Sequence, residues 1–425
     1  ARQARAEGLG YAGREGGGRQ MRWRKEAVTV PFSVAMDDVT AGNAKVMKRD
    51  FLSSGSLAIV DQGQTLVAGY TNDISLAFKG DLPVIVFGDH TCTIKYVDFP
   101  FALGADGVRI IAPRKGYDAK FLYYYLLSSP VINTGYSRHF KYLREKRIPF
   151  VPLSEQRRIV EILDQADALR KKRAEADAKA ARILPALFYI MFGAPNQPDV
   201  PTCALADIVE CLDSRRIPIR ESDRLERKGG VPYYGANGPV GYIDEAIFNE
   251  TLVLLAEDGG YWGPSESSAY KIQGPSWVNN HAHVLRCKET ADPDFLVWCL
   301  NLLDLRKYIS GTTRGKLTQA AMNGIQIPLP APDRQAVFGK AVRRFNTFEI
   351  MMKASGDKIE RMFNVLLHRA FTGDLTAKWR EAHMKELLAE MEHQAKALKI
   401  DDFRSPIEED YKSSIINHQS EIPHD

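Results

Sequence analysis

The sequence predicts an α+β chain of two similar strand-rich globular domains, separated and joined by two long antiparallel, coiled-coil-like helices. Three observations carry that prediction: an internal repeat, short β-branched runs broken by turn residues, and two long apolar-striped segments. The 425 residues leave room for two to four domains, so the repeat decides the organisation.

Asp118-Ala-Lys-Phe-Leu-Tyr-Tyr-Tyr-Leu126 is echoed by Asp292-Pro-Asp-Phe-Leu-Val-Trp-Cys-Leu300. Ile148-Pro149, Ser154 and Gln156 return as Ile327-Pro328, Asp333 and Gln335. Val84–Phe87 with Gly88-Asp89 resembles Leu252–Ala256 with Glu257-Asp258, and Gly69-Tyr70 resembles Gly241-Tyr242. Anchors recurring in one order at this distance mark a duplicated domain, because solenoid units are much shorter.

Taken in order, residues 1–20 hold six glycines and four arginines. They carry too little apolar surface to offset the entropy of ordering them. We read them as a disordered or spurious leader, with Met21 as the expected start. Residues 21–152 form the first domain, whose expected strands include Leu57–Val60, Val84–Phe87 and Val108–Ala112, with a helix near Phe121. Residues 153–195 form the first long helix, N-capped by Ser154 after Pro152 and kinked near Pro185. Its apolar stripe is Ile159, Leu163, Ala166, Leu169, Ala176, Ala180, Ile183, Leu187 and Ile190. Residues 196–332 repeat the domain, with strands at Leu252–Ala256 and His283–Arg286 and a helix near Phe295. Residues 333–371 repeat the helix from an Asp333 cap, striped by Val337, Ala341, Phe345, Phe348, Met352, Ile359, Met362, Leu366 and Ala370. Stripes this narrow and sustained predict helices packed on one another. Residues 372–425 are an acidic, partly helical tail.

Composition excludes several classes. The longest nearly apolar run, Ile183 to Gly193, is about half of a bilayer span, so no membrane segment is expected. Five scattered cysteines without a Cys-x-x-Cys pair argue against a zinc ribbon or a disulfide framework and for a cytoplasmic protein. The net charge of +4 is too small to identify a partner.

The Pro152-Leu-Ser-Glu-Gln-Arg-Arg-Ile-Val160 helix entry, the Leu187-Phe-Tyr-Ile-Met-Phe-Gly-Ala-Pro195 exit and the distal Phe371-Thr-Gly-Asp-Leu375 form an ordered set. With Tyr234-Gly-Ala-Asn-Gly238, Glu257-Asp-Gly-Gly260 and Trp277-Val-Asn-Asn-His281, they make residues 21–375 resemble the specificity subunit of type I restriction–modification systems. One departure is Pro330-Ala-Pro-Asp-Arg-Gln335, where the first copy reads Pro-Leu-Ser-Glu-Gln. Cap and glutamine survive, so only partner contacts there are put in question. The resemblance implies two target recognition domains, each reading half of a bipartite double-stranded DNA site. It implies two methyltransferase subunits docked on the helices, and restriction (motor) subunits in the complex. It also implies that S-adenosylmethionine, ATP and magnesium belong to those partners, with no cofactor or metal and no catalytic residue in this chain.

The residues themselves offer little catalytic chemistry. Gly311-Thr-Thr-Arg-Gly-Lys316-Leu317 looks like a phosphate loop, but its glycines are one residue too close and Leu317 replaces the magnesium-binding hydroxyl. The Asn/Asp-Pro-Pro-Tyr/Phe string of an adenine methyltransferase is missing from the sequence. His281-Ala-His283 can place two imidazoles on one strand face, yet no third ligand lies nearby in sequence. An alternative is a nuclease or methyltransferase with built-in specificity domains and an unrecognised active site.

The basic segments suit DNA better. Arg138-His-Phe-Lys-Tyr-Leu-Arg-Glu-Lys-Arg147 packs cations and aromatics together and places Lys141, Tyr142, Arg144, Lys146 and Arg147 among the expected contacts. Its counterpart in the repeat supplies Thr313, Arg314 and Lys316. Polar loop residues His90, Thr91, Asn237, Asn279, Asn280 and His281 complete the set, since such side chains read base edges. The alternative for each basic segment is a solvated charged face.

Overall fold

The computed structural model describes residues 28–400 apart from 134, 136, 195, 196 and 312–314. The expected 1–20 leader and residues 401–425 of the tail lie outside this range. The chain divides into two units: one runs to Lys171 and resumes at Lys358, and the other is Lys172–Asp357. Each unit therefore holds one globular domain with a portion of each long helix.

The two units repeat one topology. In the first, an antiparallel sheet is ordered Met36–Asp38, Val108–Pro113, Val84–Gly88, Ile94–Val97. In the second, the matching order is Val209–Cys211, Ala282–Cys287, Leu252–Ala256, Ala269–Ile272. A second four-stranded sheet in each unit contains a parallel pairing, Leu57–Val60 with Phe101–Gly104 and Val231–Gly235 with Pro275–Val278. Thr29–Pro31 pairs with Arg147–Pro149, and Thr202–Ala204 pairs with Gln326–Pro328.

The central strands are apolar on both faces because both faces are covered. Ile85 and Phe87 pack toward the helical core while Val84 and Val86 pack toward the second sheet. Val253 and Leu255 against Leu252 and Leu254 divide in the same way, as the two-residue period of a strand requires. Helices Ala119–Ser128 and Pro293–Leu302 begin where the repeat placed them. Asp118 caps the first by accepting from the amides of Lys120 and Phe121 at 2.8 and 3.0 Å. Asp292 does the same for Asp294 and Phe295 at 2.9 and 3.1 Å. These aspartates satisfy amides that a helix start otherwise leaves unpaired.

The first long helix departs from expectation. It runs Leu153–Ala180, breaks at Ala181 and Arg182, and resumes as Ile183–Phe192. Pro185, lacking an N–H, cannot bond back to the Ala181 carbonyl, so the helix breaks rather than bends. Ser154 lies inside the first turn and is no N-cap; Glu390 accepts its backbone amide at 3.0 Å and also its hydroxyl. The second long helix is continuous over Pro332–Thr372, with proline at a position where its missing N–H costs nothing.

Within each unit the long helices pack antiparallel. In the first unit Arg170 bonds Glu360 at 2.7 Å, and nearer the start of the first helix Ile159 and Leu163 share a core with Leu367 and Ala370 near the end of the second. In the second, Phe188 and Phe192 meet Phe338 edge to face, with centroids 5.5 and 5.6 Å away. The buried seam there is Leu184, Phe188, Phe192, Phe338 and Val342, one residue off the expected Ile183, Leu187, Val337 and Ala341. Ile183–Phe192 is apolar nearly all round, so its spacing selects no face and the aromatic cluster with Phe295 decides. Part of the expected stripe consequently stands open, with Val337 61%, Phe348 50% and Ile190 83% exposed.

The start of the C-terminal segment is folded onto the first unit. Helices Ala377–Ala382 and Met384–Ala397 bury Met391 and Ala395 in its core. All five cysteines are free, and no helix among the described residues is long and apolar enough to cross a membrane.

Candidate nucleic-acid interface

At the end of each central strand a buried carboxylate, Asp89 or Glu257, marks the meeting of three chain segments. The Asp89 amide donates to the Gly107 carbonyl at 2.6 Å, as the Glu257 amide donates to His281 at 2.9 Å. The Asp89 carbonyl accepts from the His139 amide, as that of Glu257 accepts from Leu317, both at 2.8 Å. A side chain from a third segment takes the next strand's amide: Thr40 Oγ1 from Ile110 at 2.8 Å, and Asp213 Oδ1 from Val284 at 2.9 Å. One backbone frame is thus built twice. Equivalent positions carry Thr40 and Asp213, Arg109 and His283, Gly107 and His281, and Arg138 and Lys316.

In the first unit the frame opens into a cleft of about 590 Å³ lined by Lys45, His90, Asp106, Arg109 and Arg138, among others. Arg109 lies over the Phe140 ring at 5.1 Å and 3.4 Å from Asp38. Gly107 keeps the cleft open: its φ is +71°, and a Cβ there would come within 2.7 Å of Gln62 and 2.8 Å of His90. His90 Nδ1 sits 3.2 Å from the Ser137 carbonyl. Thr91 donates its hydroxyl to the Gln62 carbonyl at 2.6 Å, which fastens the turn.

The second unit gathers five of the expected residues around the same frame. His281 Nδ1 is 2.7 Å from Asp258, and its amide donates to Asn279 Oδ1 at 2.8 Å. Asn237 donates to the Gly259 carbonyl at 3.0 Å. Lys316, half exposed, reaches Glu257 at 2.9 Å, and Asn280 is exposed on the turn. His283 points elsewhere: its Nδ1 meets Asp213 at 2.6 Å and its Nε2 the Leu317 carbonyl at 2.8 Å. The two imidazoles therefore do not share a ligand. Asp213, Glu257 and His283 come within 4.8 Å of one another, but Arg216 reaches Glu257 at 2.6 Å and Asp213 at 3.1 Å. The carboxylates already have protein cations, so the group is a closed ion network. Burial pushes both carboxyls up, yet bonds from His283 and the Val284 amide hold Asp213 below the ordinary range. Bonds from Arg216 and Lys316 do the same for Glu257.

The basic run divides. Lys141, Tyr142 and Arg144 are exposed on helix Phe140–Arg144, with Lys141 Nζ 4.7 Å from the Tyr142 ring centroid. Lys146 donates to Ser129 Oγ at 2.9 Å, and burial lowers its pKa. Arg147 sits in the strand pairing with Pro31 and donates to the Thr29 carbonyl at 2.6 Å. Thr313 and Arg314 lie outside the described residues. Lys45, Asp106 and Arg109 escaped the sequence reading. The available signal was Asp106-Gly107 between two apolar runs, a turn pair that here links strands of two different sheets and whose counterpart in the repeat is Asn280-His281.

Residues 37–177 and 199–361 each match the family described as the type I restriction modification DNA specificity domain. A putative type I restriction enzyme specificity subunit of Haemophilus influenzae is 34% identical over 129 residues, 30% of this chain and 32% of that protein. The EcoR124I/EcoR124II specificity subunit of Escherichia coli is 28% identical over 138 residues, 29% of this chain and 34% of that protein. The chain thus matches about a third of the length of each curated relative. Among solved structures, a type I restriction–modification S subunit from M. genitalium superposes with a TM-score of 0.56 at 16% identity. That match covers 83% of this chain and 98% of the other, and it supports the shared fold. With two family matches on two copies of one frame, the chain belongs to the type I restriction modification DNA specificity family.

Proposed function

We propose that this chain is the non-catalytic DNA-specificity subunit of a type I restriction–modification complex, reading one half of a bipartite site with each unit. The observation that carries the reading is the duplicated frame: one backbone presents two different sets of polar side chains, as two different half-sites demand. In this reading methyltransferase subunits dock on the helices. The apolar groove of about 630 Å³ lined by Ile183, Leu187, Val337, Phe345 and Phe348, among others, supports that, because exposed apolar patches of this kind mark interaction surfaces. Adenine methylation with S-adenosylmethionine, and magnesium- and ATP-dependent cleavage by restriction subunits, then reside in those partners, in the cytoplasm. Purified alone, the chain should neither methylate nor cleave double-stranded DNA. Adding its methyltransferase subunit should produce adenine methylation at a two-part sequence. Turnover by the partner-free chain, or methylation without a two-part preference, would overturn the reading.

A further inference from the structure

The anchors that build the two units are identical in kind, with Asp118 and Gln156 answered by Asp292 and Gln335. The frame at the strand ends keeps its backbone bonds and changes its side chains. Folding alone does not require that change, since the same backbone forms with either set. The divergence points to a role that differs between the units.

We propose that this frame is the base-reading site, with Arg138 contacting a guanine edge in one half-site and Lys316 a guanine edge at the equivalent position of the other. The inference rests on the DNA-specificity reading and assigns its determinants. Arg138 is exposed beside the cleft, and among the described residues it has no ion-pair partner. Arginine pairs with guanine O6 and N7 by two parallel bonds, and lysine satisfies the same acceptors as a point charge. The ligand is a base edge rather than a phosphate because the cleft mixes charges. Lys45, Arg109 and Arg138 share it with Asp89 and Asp106, and carboxylates repel an anion while accepting from base amino groups. In the second unit the half-exposed Lys316 leans on Glu257 at 2.9 Å with further donors left over, beside the bonded His281 and Asp258, so a cation and carboxylates again stand together. The site also stands clear of the helices. Gln156 holds Gly116 just beyond one end of strand Val108–Pro113, and the cleft lies at the other end, roughly 20 Å away at about 3.3 Å per residue.

The test uses the chain assembled with its methyltransferase subunits and a library of randomised DNA duplexes, with the bound fraction sequenced. Arg138→Gln should erase a guanine preference at one position of one half-site, a loss of roughly 5- to 150-fold in discrimination, leaving the other half-site unchanged. Lys316→Gln should do the same in the other half-site only, and it keeps the test informative if the first variant does not assemble. Uniform weakening on all sequences with a shallower salt dependence marks a phosphate contact and overturns the proposal. Unchanged selectivity in both variants also overturns it. A wild-type complex with no two-part preference would instead sink the specificity reading itself.

Discussion

Gln156 and Gln335 show how a single side chain closes a fold. Both are fully buried. Gln156 accepts from the Asp118 amide at 2.8 Å and donates to the carbonyls of Gly116 and Val151 at 3.0 and 2.7 Å. Gln335 repeats this with Asp292, Thr290 and Pro330 at 3.0, 3.0 and 2.8 Å. Each ties the start of a long helix to the cap of its domain's helix. The copies differ in one respect: Gln394 also donates to Gly116 and Val151, at 2.8 and 3.3 Å. Removing Gln156 therefore leaves those carbonyls a second donor. Since each of the three groups orphaned costs at least about 1 kcal/mol, Gln335→Ala should destabilise by about 3 kcal/mol or more and Gln156→Ala by less. Urea unfolding of the two variants checks this, and equal losses would mean that Gln394 contributes nothing. At the thiols, burial pushes Cys287 up to about 12 and Cys299 well above the usual value. Both should resist alkylation until the second unit unfolds.

At the scale of elements, the long helices cross from one unit to the other near Lys171 and Asp357. Residues 174–179 are exposed there, so extra turns displace no core. If the helices set the gap between half-sites, four residues added to each, after Lys172 and after Gly356, should lengthen both by ~6 Å and rotate the downstream turns by ~40°. The matched insertion keeps the antiparallel contacts, Arg170 with Glu360 on one side and Phe188 with Phe338 on the other. Mapping methylated adenines should show one or two extra base pairs of spacer with both half-sites intact. An unaltered spacer in an active double variant would show that the helices are not the ruler. An insertion in one helix alone must bulge and should leave the spacer as it was.

Across the whole molecule the duplication is unequal in its electrostatics. Asp213, Glu250 and Glu257 are all held below the ordinary carboxyl range, and all belong to the second unit. For Glu250 the leading cause is the bond from Arg286, 2.6 Å away. A carboxyl depressed in the folded state contributes stability above its unfolded value and loses it as pH falls through the folded one. The second unit should thus loosen first as pH drops below about 4. Amide hydrogen exchange resolved by unit checks the order, and earlier opening of the first unit would refute it.

The sequence by itself determined the duplication and the strand and helix types, because these follow from local spacing and turn chemistry. It also marked Asn237, Asn279, Asn280, His281 and Lys316, which the fold brings around one frame. Three matters were left to tertiary structure. An all-round apolar helix has no preferred face, so only the cluster of Phe188, Phe192, Phe295 and Phe338 decided which stripe is buried. Cations in a run look alike, so only partners distant in sequence separated Lys141 and Arg144 from Lys146 and Arg147, whose side chains Ser129 and Thr29 hold. Arg109 and Arg138 share a cleft although they stand 29 positions apart, because Arg109 pairs with Phe87 in the sheet and His139 bonds back to Asp89 at the end of that same strand, long-range bonds that no single segment encodes.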